Sequence, residues 1–245
     1  MRSRVLVFLL GLLLPFFSVY GYHPFSTDDP GTVEFRHFEL EWGNDGVFED
    51  SSLDELSGYL QVKSGLAEGL ELDMAQTFTY WRDPDYGEPS GFGDAKVGLK
   101  YRFYGDGDGP FNAGLEAIFT LPSGESDKGL SEGDDIVPTL FLIGTAGKEP
   151  VRLIVNAGAT TPAHQDALWL LGAILEYSVN EKLAVGVELY GESELKGKDS
   201  EDTLEGLIGA VYSANDWLTL SAGTGFGLDP DSPDFRLTFG TLIGW

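Results

Sequence analysis

The chain has 245 residues, no cysteine and a formal net charge of -25, with 40 acidic residues against 15 basic ones. The absence of cysteine excludes disulfides and thiolate chemistry, and the charge excludes nucleic acid as a partner because little positive charge could neutralise phosphates. Glycine reaches 33 residues and aromatic residues 13%, a combination that is typical of tightly turned, membrane-facing β-sheets.

The N-terminus has the order of a cleavable export signal. Arg2 and Arg4 precede an apolar run at residues 5–19, and small residues lie around Gly21. This pattern predicts a secretory signal peptide at residues 1–21 and a single mature domain at residues 22–245. A membrane anchor is the alternative, but the run is shorter than the roughly 20 residues of a spanning helix and Pro15 interrupts it.

The rest of the chain alternates apolar and polar residues with the period of a β-strand. The clearest case is the run in which Val97, Leu99 and Tyr101 alternate with Lys96 and Lys100. Twelve such segments are predicted, at residues 33–42, 57–64, 70–80, 94–104, 111–121, 135–144, 151–160, 167–177, 183–192, 203–212, 218–227 and 235–245.

The connections between these segments alternate in length. Short turns are expected near residues 65–69, 105–110, 145–150, 178–182 and 213–217. Longer acidic loops are expected near residues 43–56, 81–93, 122–134, 161–166, 193–202 and 228–234. This asymmetry predicts an all-β fold, a transmembrane antiparallel up-and-down β-barrel of about 12 strands, with periplasmic termini and external loops.

A soluble barrel with an apolar interior would have the same period, so the position of the aromatic residues decides between the two folds. Aromatic side chains collect at both ends of the predicted strands, as two membrane interfaces would require, which predicts the cell outer membrane as the location. One group comprises Trp42, Tyr80, Trp81, Phe119 and Phe226, and the other Phe103, Phe111, Tyr177, Tyr212, Trp217 and Trp245.

The closing segment alternates up to its last residue. Phe239, Ile243 and Trp245 fall on the face expected to meet lipid. Such endings resemble the C-terminal signal that delivers barrels to the outer-membrane assembly machinery, so these three residues are the predicted assembly signal. Expected partners are therefore this machinery and outer-membrane lipids, with the protein itself a monomer.

Signatures of catalysis and of cofactor binding are lacking. The sequence has no HExxH, GxSxG or phosphate-loop motif, and its three histidines have no metal partner at ligand spacing. We therefore expect no enzyme activity, no cofactor and no metal site. Acidic turns at Asp106, Asp108, Asp229, Asp231 and Asp234 offer oxygen ligands of the kind Ca²⁺ uses, but solvated turn carboxylates explain them better.

The face opposite the lipid face carries charges of both signs, some of which should pair across the lumen and partly occlude it. The alternative is that each of these charged residues belongs to a structural ion pair that merely stiffens the barrel. An apolar patch of Leu170, Gly172 and Ile174 shares this face with Glu176 and favours a hydrophobic passenger. The predicted lumen-lining residues are Glu39, Glu41, Lys63, Glu71, Asp73, Lys96, Lys100, Arg102, Glu116, Arg152, Glu188 and Arg236.

Several short motifs resemble one family. Residues 23–34, HPFSTDDPGTVE, contain a TDDxGT core, and FELE follows at 38–41. FGD at 92–94, VGLKY at 97–101 and LPSG at 121–124 continue the likeness. The chain thus resembles the outer-membrane transporters named after the meta pathway of phenol degradation. The resemblance implies a barrel that passes small, often aromatic or apolar compounds, and it supplies no substrate-binding residues.

These observations together predict an outer-membrane channel or transporter that passes a small-molecule solute. The acidic loops predict a preference for cations at low salt. The alternative is a non-conducting envelope barrel with a structural or binding role, although short loops disfavour adhesion.

Overall fold

In the computed structural model, twelve antiparallel strands close into a barrel in which each strand pairs with its sequence neighbours and the last pairs with the first. The structure describes residues 22–49, 52–81, 90–131, 133–162, 166–194, 202–230 and 232–245. The predicted signal peptide and Asp231 lie outside the described residues. The predicted all-β fold and strand number are confirmed.

Eight of the twelve strands are longer than the sequence alone indicated, whereas the fifth, seventh and eleventh have their predicted bounds and the last is one residue shorter. One short 3-10 helix, Ser126–Lys128, lies between the fifth and sixth strands. The strands are β1 Phe38–Glu49, β2 Ser52–Ala67, β3 Leu70–Trp81, β4 Ser90–Tyr104, β5 Phe111–Leu121, β6 Val137–Lys148, β7 Val151–Thr160, β8 Leu168–Asn180, β9 Leu183–Glu194, β10 Thr203–Asn215, β11 Leu218–Gly227 and β12 Phe235–Gly244.

Alternation along each strand separates an outer apolar face from an inner polar face. On β4, Leu99 and Tyr101 are exposed on the outside, whereas Lys100 is buried inside. The described residues contain no helix that is both long and apolar enough to cross a membrane. The exposed apolar side chains of the outer face form the band that lipid covers in an outer-membrane barrel.

Barrel closure depends on β1 and β12. These strands pair from Glu39 with Gly244 to Phe48 with Phe235. At one end the backbone of Trp245 both donates to and accepts from Phe38, and the two rings stack with centroids 6.2 Å apart. Among the predicted assembly residues, Phe239 and Trp245 are more than half exposed on the outer face; their role as a signal stays a prediction.

The first predicted strand begins five residues too early, and the first predicted loop is too long. Residues 33–37 do not belong to β1, because the Val33 N–H donates to Glu71 in the lumen instead of joining the sheet. Arg36, with φ 69, turns the chain toward β1, and its N–H donates to Gly65. Beyond Trp42, β1 continues to Glu49 and pairs with β2, so most of the loop expected at residues 43–56 is strand.

The connection between β5 and β6 is held against β4 by two carboxylates. Asp94 accepts the N–H groups of Ser123 (2.9 Å) and Gly124 (2.7 Å), so the FGD and LPSG motifs meet in space. Glu125 accepts the Phe92 N–H and pairs with Lys128. The Lys128 ammonium, with help from the Phe92 N–H, lowers the pKa of Glu125 below its usual range.

Leu99→Arg tests the assignment of the two faces. Arginine at this lipid-facing position should lower the free energy of unfolding by roughly 2–4 kcal/mol, because a charge near the bilayer midplane loses its hydration. Urea-induced unfolding in lipid vesicles measures the change. Thr219→Arg, on the inner face of β11 beside buried acids, is the matched control and should cost clearly less. Equal costs would mean that the inner and outer faces are assigned the wrong way round.

Candidate functional site: the lumen and its N-terminal segment

Residues 22–36, here called the N-terminal segment, precede β1, and residues 22–33 of the segment fold back into the lumen. The segment opens with a tight turn in which the Phe25 N–H donates to Tyr22 (3.0 Å) and the Tyr22 N–H donates to Thr27 (3.1 Å). Phe25 is 1% exposed and Thr27 is completely buried. A barrel of twelve strands is wider than its own inner side chains fill, and the segment occupies that space.

A row of inner-face glycines makes room for the segment. The row comprises one glycine from each of five consecutive strands. A Cβ atom would collide with the segment at four of them, and at Gly223 it would lie 3.2 Å from the Pro24 Cβ. A Cβ on Gly209 would lie 2.5 Å from Pro24 and 3.0 Å from Phe25, and one on Gly172 would lie 3.2 Å from the Thr27 Cβ. The members are Gly172, Gly186, Gly209, Gly223 and Gly240.

The ring of Phe25 fills an apolar slot in the wall. The slot is lined by Ile154, Ile174, Leu207 and Val211 from β7, β8 and β10, and all of these side chains are buried. Burying a phenylalanine side chain in such surroundings contributes about 1.5–3 kcal/mol. The ring is therefore the apolar anchor of the N-terminal segment.

Polar contacts hold the segment on both sides of the ring. Glu188 accepts the N–H groups of Ser26 (3.0 Å) and Thr27 (2.6 Å). Asp28 forms a buried ion pair with Lys100, so the TDDxGT core contacts the VGLKY motif. These bonds satisfy backbone groups that would otherwise be buried without partners.

His23 is fixed by hydroxyl groups of the opposite wall. Its Nδ1 lies 2.6 Å from the Ser221 hydroxyl, and its Nε2 lies 2.9 Å from the Thr238 hydroxyl. Because a hydroxyl both donates and accepts, this arrangement suits a neutral imidazole. The His-Pro-Phe sequence thus places one polar and one apolar anchor against the glycine row.

The predicted lumen-lining residues all lie on the inner face of the wall, but they do different things. Glu71, Lys100 and Glu188 bind the N-terminal segment. Six of the twelve are buried: Glu41, Glu71, Asp73, Lys100, Glu116 and Glu188. The other six are partly exposed: Glu39, Lys63, Lys96, Arg102, Arg152 and Arg236. The part these residues play in passage stays a prediction.

Ion pairs across the lumen were predicted to occlude it, and this is not how the lumen is filled. Lys63 pairs with Glu41 on the adjacent strand (2.6 Å), and Arg152 pairs with its direct sheet partner Glu176 (2.7 Å). Arg236 on β12 pairs with Glu205 on β10 (2.9 Å). These pairs run along the wall. The N-terminal segment fills one part of the lumen, and apolar side chains of β3, β5, β6 and β8 pack together in another part.

A cavity of about 250 Å³ remains beside the segment, on the side of β1, β2, β11 and β12. Its carboxylates outnumber its ammonium groups five to two, so it is acidic. The carboxylates are those of Asp28, Asp29, Glu39, Glu41 and Glu71, and the ammonium groups are those of Lys63 and Lys100.

The predicted apolar patch is not free for a passenger. Leu170 packs with Ala75, Ile118 and Phe141 in one buried cluster, and Ile174 packs against Phe25 in another. Gly172 lies against Thr27. The segment and the side chains of β3, β5 and β6 cover this patch in the described state.

The acidic turns bind their own backbone. Asp106 accepts the N–H groups of Asp108 (3.2 Å) and Gly109 (2.7 Å), which lower its pKa. Asp229 accepts the Ser232 N–H (2.9 Å). In the described part of the chain, no three His, Asp or Glu side chains gather as a metal site.

Reasoning from the sequence missed the residues that bind from the segment side, above all His23, Phe25 and Asp28. A signal was nevertheless present, because five consecutive predicted strands each place a glycine on the inner face opposite a His-Pro-Phe sequence.

The family assignment rests on most of the chain. Residues 47–243 match the family described as "Putative MetA-pathway of phenol degradation", and the chain belongs to that family. The resemblance seen in the short motifs is therefore confirmed. No curated protein matches the sequence at a significant level.

Solved structures with the same fold are outer-membrane channels and porins. The COG4313 outer membrane channel from Pseudomonas putida F1 has a TM-score of 0.69 at 17% identity, over 89% of this chain and 98% of that one. KdgM porin (TM-score 0.58, 13% identity) and NanC porin (TM-score 0.60, 9% identity) each match over 84% of this chain and 98% of theirs. The fold is that of an outer-membrane β-barrel.

Gly209→Ala tests whether the glycine row holds the segment. The added Cβ would overlap Pro24 and Phe25, and overpacking of this kind costs about 1–3 kcal/mol, so we expect cleavage of the segment by chymotrypsin to become about tenfold faster or more. Mass spectrometry of the released N-terminal peptides measures the rate. Gly225→Ala is the control on the same face, because its Cβ would meet no segment atom and lies 3.4 Å from Arg236. Unchanged cleavage of the Gly209 variant would contradict the assigned role.

Proposed function

We propose that the protein is an outer-membrane channel for small solutes, aromatic or apolar compounds among them, and that the N-terminal segment is its plug. One observation carries the proposal: residues 22–33 occupy the lumen and are held there by noncovalent contacts alone. Passage of a solute wider than the remaining cavity then requires the segment to move. The family match and the fold shared with channels and porins support this function.

The contacts of the plug suit repeated release. The Phe25 slot, the Glu188 hydrogen bonds and the Asp28–Lys100 pair are each worth only a few kcal/mol. The wall itself is held by twelve strand pairings that do not involve the segment. Displacing residues 22–33 therefore leaves the barrel intact and frees the part of the lumen that they fill.

A non-conducting envelope barrel is the second candidate, and the buried lumen favours it. Phe25, Phe141, Ile143 and Ile154 are at most 2% exposed, as in a solid core. Such a barrel would keep its segment in place permanently. The two candidates therefore differ in whether locking the segment has any effect on ion flow.

A reversible crosslink tests the plug directly. The chain has no cysteine, and a Cβ built on Gly114 of β5 would lie 3.6 Å from the Pro30 Cβ, within the usual spacing of a disulfide. We expect Pro30→Cys/Gly114→Cys protein to lose conductance in planar bilayers when oxidised and to regain it when reduced. A channel whose plug must move cannot open while the segment is tied to β5.

The single variants Pro30→Cys and Gly114→Cys are the matched controls, and neither should respond to oxidant. Conductance that is the same in the oxidised and reduced double variant would show that the segment need not move. Absence of conductance from the native protein and from every variant would favour the non-conducting barrel.

The acidic cavity predicts charge selectivity. At about 0.1 M salt the open channel should prefer K⁺ to Cl⁻, and the preference should weaken toward 1 M salt, where the Debye length falls from about 10 Å to about 3 Å. Reversal potentials across a KCl gradient measure it. Glu39→Lys, in the cavity, should reduce the preference, whereas Glu34→Lys, whose side chain is exposed, should leave it unchanged. A Cl⁻ preference at low salt would show that the lumen bases set the field.

A further inference from the structure

An aromatic slot and a buried carboxylate lie side by side on the inner face of β9. Gly186 opens the slot for the Phe25 ring, and Glu188 lies two residues further along the same face, so the carboxylate sits roughly 7 Å along the strand from the slot. Glu188 is 1% exposed. The segment satisfies both features at once, with its ring in the slot and two N–H groups on the carboxylate.

The partners of Glu188 are neutral. Its two oxygens accept the N–H groups of Ser26 and Thr27, and no ion pair within the described ranges joins it to a basic side chain. Arg236, which pairs with Glu205, attracts it only at longer range. The buried acids Glu41, Asp28 and Glu176, by contrast, each pair with a base. A cation would form shorter and stronger, charge-assisted hydrogen bonds with Glu188 than neutral amides do, and it would offset the cost of burying the carboxylate.

We propose that this pair of features is a binding site for an arylalkylamine, and that residues 22–28 occupy it as an internal ligand. The aromatic ring of the amine takes the Phe25 slot between Ile154, Ile174 and Leu207. Its ammonium group, on a spacer of two or three carbons, binds Glu188 in place of the Ser26 and Thr27 N–H groups. This assignment names a passenger class and rests on the proposed channel function.

The site can be reached from the acidic cavity. Val211 lines both the cavity and the Phe25 slot, so the two are neighbours in the lumen. The carboxylates of the cavity and the strongly negative charge of the whole chain raise the local concentration of cations and disfavour anions. An organic cation is therefore brought toward Glu188, and an aromatic acid is repelled.

Binding of the amine and seating of the segment are mutually exclusive. Ligand and segment compete for one slot and one carboxylate, so occupancy by the amine shifts the segment toward release. The seated segment also lowers the apparent affinity for the amine, because only molecules whose site is free can bind it. The smaller the fraction of such molecules, the weaker the apparent binding. Removing the Phe25 ring should raise that fraction.

Calorimetric titration of the detergent-folded full-length protein with 2-phenylethylamine tests the site. We expect saturable binding, tightened about tenfold or more by Phe25→Ala and weakened about tenfold or more by Glu188→Gln. Glu205→Gln is the matched control, because Glu205 pairs with Arg236 and does not touch the segment. Ethylamine, 2-phenylethanol and phenylacetate separate the contributions of the ring and the charge and should bind more weakly.

The outcomes separate the site from the channel function. Any of three results would overturn the proposed site. These are equal affinities for 2-phenylethylamine and ethylamine, equal affinities of the Glu188→Gln variant and the native protein for 2-phenylethylamine, and no binding of 2-phenylethylamine even by the Phe25→Ala variant. Tighter binding of 2-phenylethanol or phenylacetate would overturn the assignment to a cation. Planar-bilayer conductance is recorded on the same preparations. If the protein conducts but does not bind the amine, only the proposed amine site is overturned. If the protein binds the amine through Glu188 but does not conduct, only the proposed channel function is overturned.

Discussion

Closure of the sheet is the constraint on which the other features of the molecule depend. In lipid every backbone N–H and C=O group needs a partner, and the pairing of β1 with β12 leaves no free strand edge. Twelve strands closed in this way enclose more space than the inner side chains fill. Residues 22–33 of the chain occupy part of this space. The position of these residues explains why the inner-face residues beside them are glycines, why Glu188 and Lys100 are charged and where the remaining cavity lies.

The inner face of the wall is built around the segment. Gly186, Gly209 and Gly223 are direct partners across neighbouring strands and form a bare strip for Pro24 and Phe25. Glu188 and Lys100 flank the strip with opposite charges that match the N–H groups and the carboxylate of the segment. The short motifs that resemble the family therefore contact one another in pairs. Asp28 of the TDDxGT core pairs with Lys100 of VGLKY, and Asp94 of FGD accepts the N–H groups of Ser123 and Gly124 in LPSG.

Alternation predicted the strands well because period 2 is imposed by lipid on one face and by the lumen on the other. Leu99 outside and Lys100 inside could be assigned from the sequence alone. The extension of β1 to Glu49 was not predictable in this way, because Gly43, Asn44 and Gly46 resemble a loop and become strand only through pairing with β2 and β12. Long-range pairing overrides local propensity in such a segment.

The site was harder to predict than the wall. Glu71, Lys100 and Glu188 could be placed inside from their register, but their partners could not, since the segment lies up to 162 residues away along the chain. Residues 33–37 also alternate like a strand. Their departure from the sheet is decided by a tertiary contact, the bond from Val33 to Glu71.

Amide hydrogen exchange in lipid vesicles measures the central claim, that residues 22–33 are seated inside the closed barrel. If they are, the Thr27 and Val33 amides, which donate to Glu188 and Glu71, should be protected like the strand amides of β9 and should exchange far more slowly than an unstructured peptide. Exchange of these two amides at the rate of a free peptide, with the strands still protected, would contradict the account.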